Sequence, residues 1–175
     1  MNFKQHLAKF VTGNLTTGQL PEIGLIALQE GLDAQSLRIL AGMGDGDSVH
    51  EIDHYFRKAL DELNIQLPEI RNAALIYASA IVDEIVAGEM DIIAGVGFIR
   101  YDAIDRYDFF SESIHYCYDS IKFDKVYGLY VEYNEIEDGE SNWVTDKTKD
   151  QLLEEVEAEL FAEIKKWQIE LKNHV

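Results

Sequence analysis

Apolar positions recur along most of this chain at three- and four-residue intervals, and glycines, prolines and acid-rich turns break the recurrence into segments. Pro21, followed by Ile23, Ile26, Ala27 and Leu28, predicts a helix with proline in its first turn and Gly31 at its left-handed stop. Asp33 stands where it could cap a next helix carrying Leu37, Ile39, Leu40 and Met43, which the Gly42–Asp47 stretch would end. Ser48 and Glu51 have capping-box spacing and open a longer stripe: Ile52, Tyr55, Phe56, Ala59, Leu60 and Leu63. Pro68 predicts the start of a helix reaching about Ala87, apolar on nearly every side, and such a helix must be central. Asp91 then caps a segment through Ile92, Ile93, Val96, Ile99 and Ile104.

Between Phe98 and Tyr133 the texture changes, with 11 of the chain's 19 aromatic residues. Helix is the expectation for Phe109 to Ile121. Residues 125–133 alternate as a strand would at Tyr127, Leu129, Val131 and Tyr133, but also fit a helix through Val126, Leu129, Tyr130 and Tyr133. With no second strand to pair with, helix is the choice. After a loop at Glu137–Asn142, Thr145 or Asp146 would cap a last helix to about Asn173, striped by Leu152, Leu153, Val156, Leu160, Phe161, Ile164, Trp167 and Leu171. The fold class expected is therefore all-α: a compact single-domain bundle, or an α-solenoid-like stack, of about seven or eight helices over residues 1–175, with no visible boundary.

Composition narrows the function classes. The chain has 175 residues, 33 Asp+Glu against 15 Lys+Arg, and a net charge of −18. Nucleic-acid binding needs a cationic face to displace counterions, so that class is set aside. The most apolar segment, Ala73 to Ala87, is interrupted by Asp83 and Glu84 and is shorter than the roughly 20 residues a membrane span needs. The N-terminal residues lack the apolar run of a secretory signal, and Cys117 is a lone cysteine; both suit a cytoplasmic protein.

One motif carries chemistry. His50-Glu51-Ile52-Asp53-His54 spells H-E-x-x-H, which on a helix places two imidazoles on one face with a general base beside them, as in a zinc hydrolase. A third ligand would have to come from elsewhere, with Asp83 and Glu84 available. Four features oppose it. Glu51 has the capping-box role. The motif sits at the positive end of a helix dipole. Asp53 puts a charge between the histidines. The longer H-E-x-x-H-x-x-G-x-x-H pattern fails at Arg57 and Leu60. The Gly42, Gly44, Gly46 run follows a helix, not a strand, and carries Asp45 and Asp47, which would repel phosphate. Cys117 is read as a buried or half-buried structural thiol, because His115 would face elsewhere on a helix. The tyrosines suit the periphery of a core better than a binding surface. No catalytic, metal or cofactor-binding residue is assigned.

The stretch Ala27–Gly42, together with Tyr55-Phe56 through Glu62-Leu63 and Ile85–Glu89, resembles segments of small all-helical bacterial proteins over about residues 20–100. The likeness is one of packing, and it implies a helix stop at Gly31 and a start at Asp33, with no activity to transfer. The functional expectation is a non-enzymatic acidic protein acting through protein–protein interaction. Its most concrete form neutralises a basic toxin or nuclease, as an immunity-type protein does. The alternative is a zinc-dependent hydrolase built on His50, Glu51 and His54. A homodimer through the tyrosine-rich surface is a further, plainer expectation.

Overall fold

The computed structural model describes residues 1–140 and 146–174, and among them it contains eight α-helices and no strand. These are α1 (Phe3–Val11), α2 (Leu20–Gln29), α3 (Gln35–Ala41), α4 (Val49–Glu62), α5 (Ile70–Val86), α6 (Ile92–Phe98), α7 (Asp124–Glu137) and α8 (Lys149–His174). The all-helical expectation is met, and residues 125–133 are helical, as α7. No helix among the described residues is long and apolar enough to cross a membrane.

Cα packing divides the chain into two units, Met1–Tyr77 and Ala78–Val175. The division falls inside α5, an unbroken helix, so no linker composition marks it. In the first unit α3 packs on α2 and α4. Leu20, Ile23, Leu37, Leu40, Ile52, Phe56 and Leu60 form its core, and Phe10 meets Phe56 edge-on at 5.1 Å. In the second unit α7 and α8 lie along one another and α6 touches both. α5 has the all-round burial its sequence predicts: Ala73 through Ala78 are buried consecutively.

Helix ends account for most of the differences from the pattern reading. Gly31 stops α2 as expected, at φ +88°, with its own N–H on Leu28 O and the Leu32 N–H on Ala27 O. α4 ends in the same double bond, with Asn64 in place of glycine at φ 54°. Helix starts are less local. Asp33 does not cap α3; it forms a two-pronged pair with Arg38, at 2.7 and 2.5 Å. The first-turn donors of α3 instead meet Glu62, whose carboxylate accepts from Ser36 N at 2.9 Å and from Ser36 Oγ at 2.7 Å. Pro68 precedes α5 by two residues and does not occupy its first turn. Thr148, not Asp146, opens α8: it exchanges bonds with Gln151 as a capping box, and Thr145 lies outside the described residues. α1 is an addition to the pattern reading, opened by a capping box between Asn2 and Gln5.

Residues 109–121 depart from the expected helix. They form successive turns closed by their own side chains: Asp108 accepts from Ser111 N, Ser113 Oγ accepts from Tyr118 N, and Tyr118 and Lys122 take left-handed φ values of 65° and 59°. Ser and Asp side chains that bond nearby backbone offer the chain an alternative to helix, and here that alternative wins.

α8 is anchored by Trp167, 2 % exposed, whose indole N–H donates to Ile121 O at 2.8 Å while the ring lies 4.6 Å from Phe123. Trp167→Phe keeps most of the volume but leaves that buried carbonyl without its donor, and should cost about 1–3 kcal/mol. Trp167→Ala should cost about 3–5 kcal/mol through the cavity. Urea denaturation followed by circular dichroism checks both values and their order.

Candidate functional site

His50, Glu51 and His54 lie in the first turns of α4, on the helix their spacing requires. Both histidines and Glu51 are exposed, and Ile52 between them points into the core. Ser48 caps the helix by accepting from His50 N at 3.3 Å, one position earlier than a capping box with Glu51 would have it. Asp53 is held by Arg57 at 2.8 Å. His50 and His54 share a shallow cleft of about 300 Å³ with Asp53, Arg57, Lys58 and Asp61, so two cations line the surface a divalent ion would occupy. Among the described residues no three His, Cys, Asp or Glu side chains converge to hold a metal. Asp83 instead accepts from Gln168 Nε2 at 2.6 Å. In the Gly42–Asp47 turn, the Gly44 N–H is taken by Asp47 at 2.8 Å, which leaves that donor spent on the chain's own carboxylate.

The aromatic segment divides into an inner network and an outer display. Inside, Tyr118 donates to Asp105 at 3.0 Å, and the Arg100 guanidinium lies 5.0 Å from the Tyr127 ring, with the exposed Tyr101 ring 4.7 Å away on its outer side. Burial, then the bond to Asp105, pushes the Tyr118 phenol up to about 12, so it stays protonated and holds the segment without serving as a base. Outside, Phe110, Ile114 and Tyr116 are 63 %, 79 % and 72 % exposed. The tyrosines are therefore partly periphery and partly display. Cys117 is exposed, not buried as the helix reading implied, because the turn carries it outward. Beneath the display, Asp119 accepts from the N–H groups of Ile114, His115 and Tyr116 at 2.9, 2.7 and 3.1 Å.

A further concavity, in the second unit, has no counterpart in the sequence reading. It is a cleft of about 710 Å³ where the end of α5 and the start of α6 face the first half of α8. Ile85, Met90, Ile92, Leu153 and Phe161 give it an apolar floor, and Asp91, Asp150, Glu154 and Glu157 give it an acidic rim. A side chain at residue 95 would close part of this region. A Cβ on Gly95 would come within 2.6 Å of the Ile85 side chain and 3.1 Å of the Met90 sulfur, so glycine is what lets α6 approach α5 here. Of the lysines around it, Lys147 borders an adjoining concavity with Glu154 and pairs with Glu155 at 2.5 Å, and Lys149 pairs with Glu137 at 3.1 Å. None of the four rim carboxylates is ion-paired among the described residues. The half-buried Tyr133 phenol registers the result; burial and the Glu157, Glu137 and Asp91 carboxylates raise it above the ordinary tyrosine value. At the floor, Lys165 rests its ammonium 4.0 Å from the Phe161 centroid, so one face of that ring already carries a cation.

Compared with protein families, with curated proteins and with solved structures, the chain matches none.

Two expectations follow from this geometry. The three backbone bonds hold the Asp119 carboxyl down to about 2, against an ordinary aspartate value of 3.8. A depressed carboxylate stabilises the fold fully above its unfolded value and loses that contribution as pH falls through its folded one. The amide signals of Ile114, His115 and Tyr116 should thus titrate with a midpoint near 2 in a two-dimensional NMR series, and Asp119→Asn should broaden or shift the same three at neutral pH. A midpoint near 3.8 would show that the bonds do not persist. At α4, equimolar zinc should leave the melting temperature of the wild type and of His54→Ala alike unchanged, since binding to the folded state alone would raise it; a rise of several degrees confined to the wild type would require a third ligand.

Proposed function

We propose that this chain is an interaction protein that binds a basic partner, with neutralisation of a cationic toxin or nuclease as its most concrete form. The acidic, apolar-floored cleft of the second unit supports this reading best. Four carboxylates that make no ion pair among the described residues gather there around an apolar floor, a combination that speeds association with a complementary charge. The net charge of −18 extends the same field over the whole chain. Resemblance of residues 20–100 to small helical bacterial proteins is compatible with such a role and supplies no competing chemistry. A reducing cytoplasm suits the exposed thiol of Cys117, which stays unpaired there.

Immobilised protein exposed to a lysate at about 0.1 M and at about 1 M salt tests the reading, since the screening length falls from ~10 Å to ~3 Å between them. A basic protein should be retained at the lower salt only. Purified, it should form a defined complex whose association rate drops at least tenfold over that range. Retention of no basic protein, or a rate indifferent to salt, would refute the proposal.

A further inference from the structure

The cleft's two kinds of lining residue are arranged in a way that narrows what it can receive. Asp150, Glu154 and Glu157 follow one another on α8 at intervals of four and three residues, so they form a single row about 10 Å long at 1.5 Å per residue. Leu153 and Phe161, on the same helix, border the apolar floor beside that row, and Ile85, Met90 and Ile92 complete it from the opposite side. A volume of about 710 Å³ lies in the range of sites that bury a few anchoring groups. An occupant that satisfies both features needs an apolar stripe for the floor and a cationic row beside it at matching helical spacing. Those are the properties of a basic amphipathic helix, whose lysine or arginine stems cover apolar surface while their heads reach outward. A second copy of this chain would bring its own −18 and set carboxylate against carboxylate.

We infer that the cleft between the α5–α6 junction and α8 is a docking groove for a cationic amphipathic helix of a partner protein. The inference rests on the reading of the chain as a binder of basic partners, and adds to it the place of contact and the form of the contacting segment.

The test uses the full chain and a fluorescent peptide of about 16 residues, with leucines at i, i+3, i+4 and i+7 and lysines elsewhere. Its scrambled isomer has the same composition and no stripe. Three variants are compared with wild type by fluorescence anisotropy. Glu154→Gln/Glu157→Gln removes two charges from the rim. Glu22→Gln/Glu51→Gln removes two exposed charges from the first unit, matching the change in net charge. Ala158→Phe, at an exposed position lining the cleft, fills the groove without touching the core. The striped peptide should bind wild type at least tenfold more tightly than the scrambled one. The rim variant should weaken that binding at least tenfold, the first-unit variant by less than twofold, and Ala158→Phe should abolish it with an unchanged melting temperature. Equal weakening by the two charge variants, no effect of Ala158→Phe, or equal affinity for the two peptides would each overturn the groove. In each of those cases salt-sensitive retention of a basic protein would leave the broader reading standing. If instead the striped peptide binds as expected while no basic protein is retained from the lysate, the groove stands and the broader reading falls.

Discussion

Fifteen cations cannot neutralise thirty-three carboxylates, and the structure is arranged around that imbalance. A surplus acid must find a backbone donor, stay solvated at a distance from its like, or crowd together at a cost. The helix starts take up part of the surplus. Glu30 accepts from Phe3 N at 2.7 Å, Glu62 from Ser36, and Asp91 from Ala94 N at 2.9 Å. Each such bond satisfies one of the four N–H groups a helix leaves open and sits at the favourable end of its dipole. Ser36 and Glu62 are 26 residues apart, so this bond also fastens the start of α3 to the end of α4. The Ser36 bonds hold the Glu62 carboxyl below the usual glutamate value, and acid would weaken that fastening.

What could be read from the sequence was whatever depends on residues close together in it. The stripes of α4 and α8 follow from three- and four-residue spacing alone, and five positions of the α8 stripe are buried at intervals of four, four, three and four from Val156 to Leu171. Gly31 needed only its own φ to be recognised. The cap of α3 falls not on Asp33 but on Ala34, one residue later; Arg38 pairs with Asp33, and a distant glutamate meets the first-turn donors. The 109–121 segment was misread for a related reason. Apolar spacing there matches a helix, but Asp108, Ser113 and Asp119 each bond the local backbone, and periodicity does not register those bonds. Once the helix is replaced by turns, Cys117 and Tyr116 move from interior to surface.

The candidate sites show the same division more sharply. H-E-x-x-H was fully legible as a pattern, and its helix is real, yet the pattern alone says nothing of a third ligand or of the Arg57 and Lys58 cations that flank it. The cleft as a whole could not be assembled from the sequence because its two walls, residues 85–92 and 150–161, are some sixty positions apart. A signal did exist: Asp150, Glu154 and Glu157 fall on one edge of the α8 stripe and not on the face opposite it. Acids on a helix are usually placed away from its apolar face, so a row that borders the floor marks that edge as something other than plain solvated surface.

Keeping that row costs something. Asp150 and Glu154 are four apart and Glu154 and Glu157 three apart, and like charges at these spacings each destabilise a helix by roughly 0.2–0.5 kcal/mol. Asp150, in the first turn, is compensated by the dipole, but that compensation fades within one turn, before Glu154 and Glu157 are reached. Among the lysines nearby, Lys147 and Lys149 pair with Glu155 and Glu137, and Lys165 rests on the Phe161 ring. The second unit therefore holds a small electrostatic strain beside apolar surface that water covers poorly. A cation with an aliphatic stem would relieve both at once, replacing repulsion along the row by attraction across it and covering the floor with its stem. Neutral apolar ligands would answer only the floor, and small inorganic cations only the rim, so the proposed selectivity for a cationic amphipathic segment would rest on joining the two features in one groove.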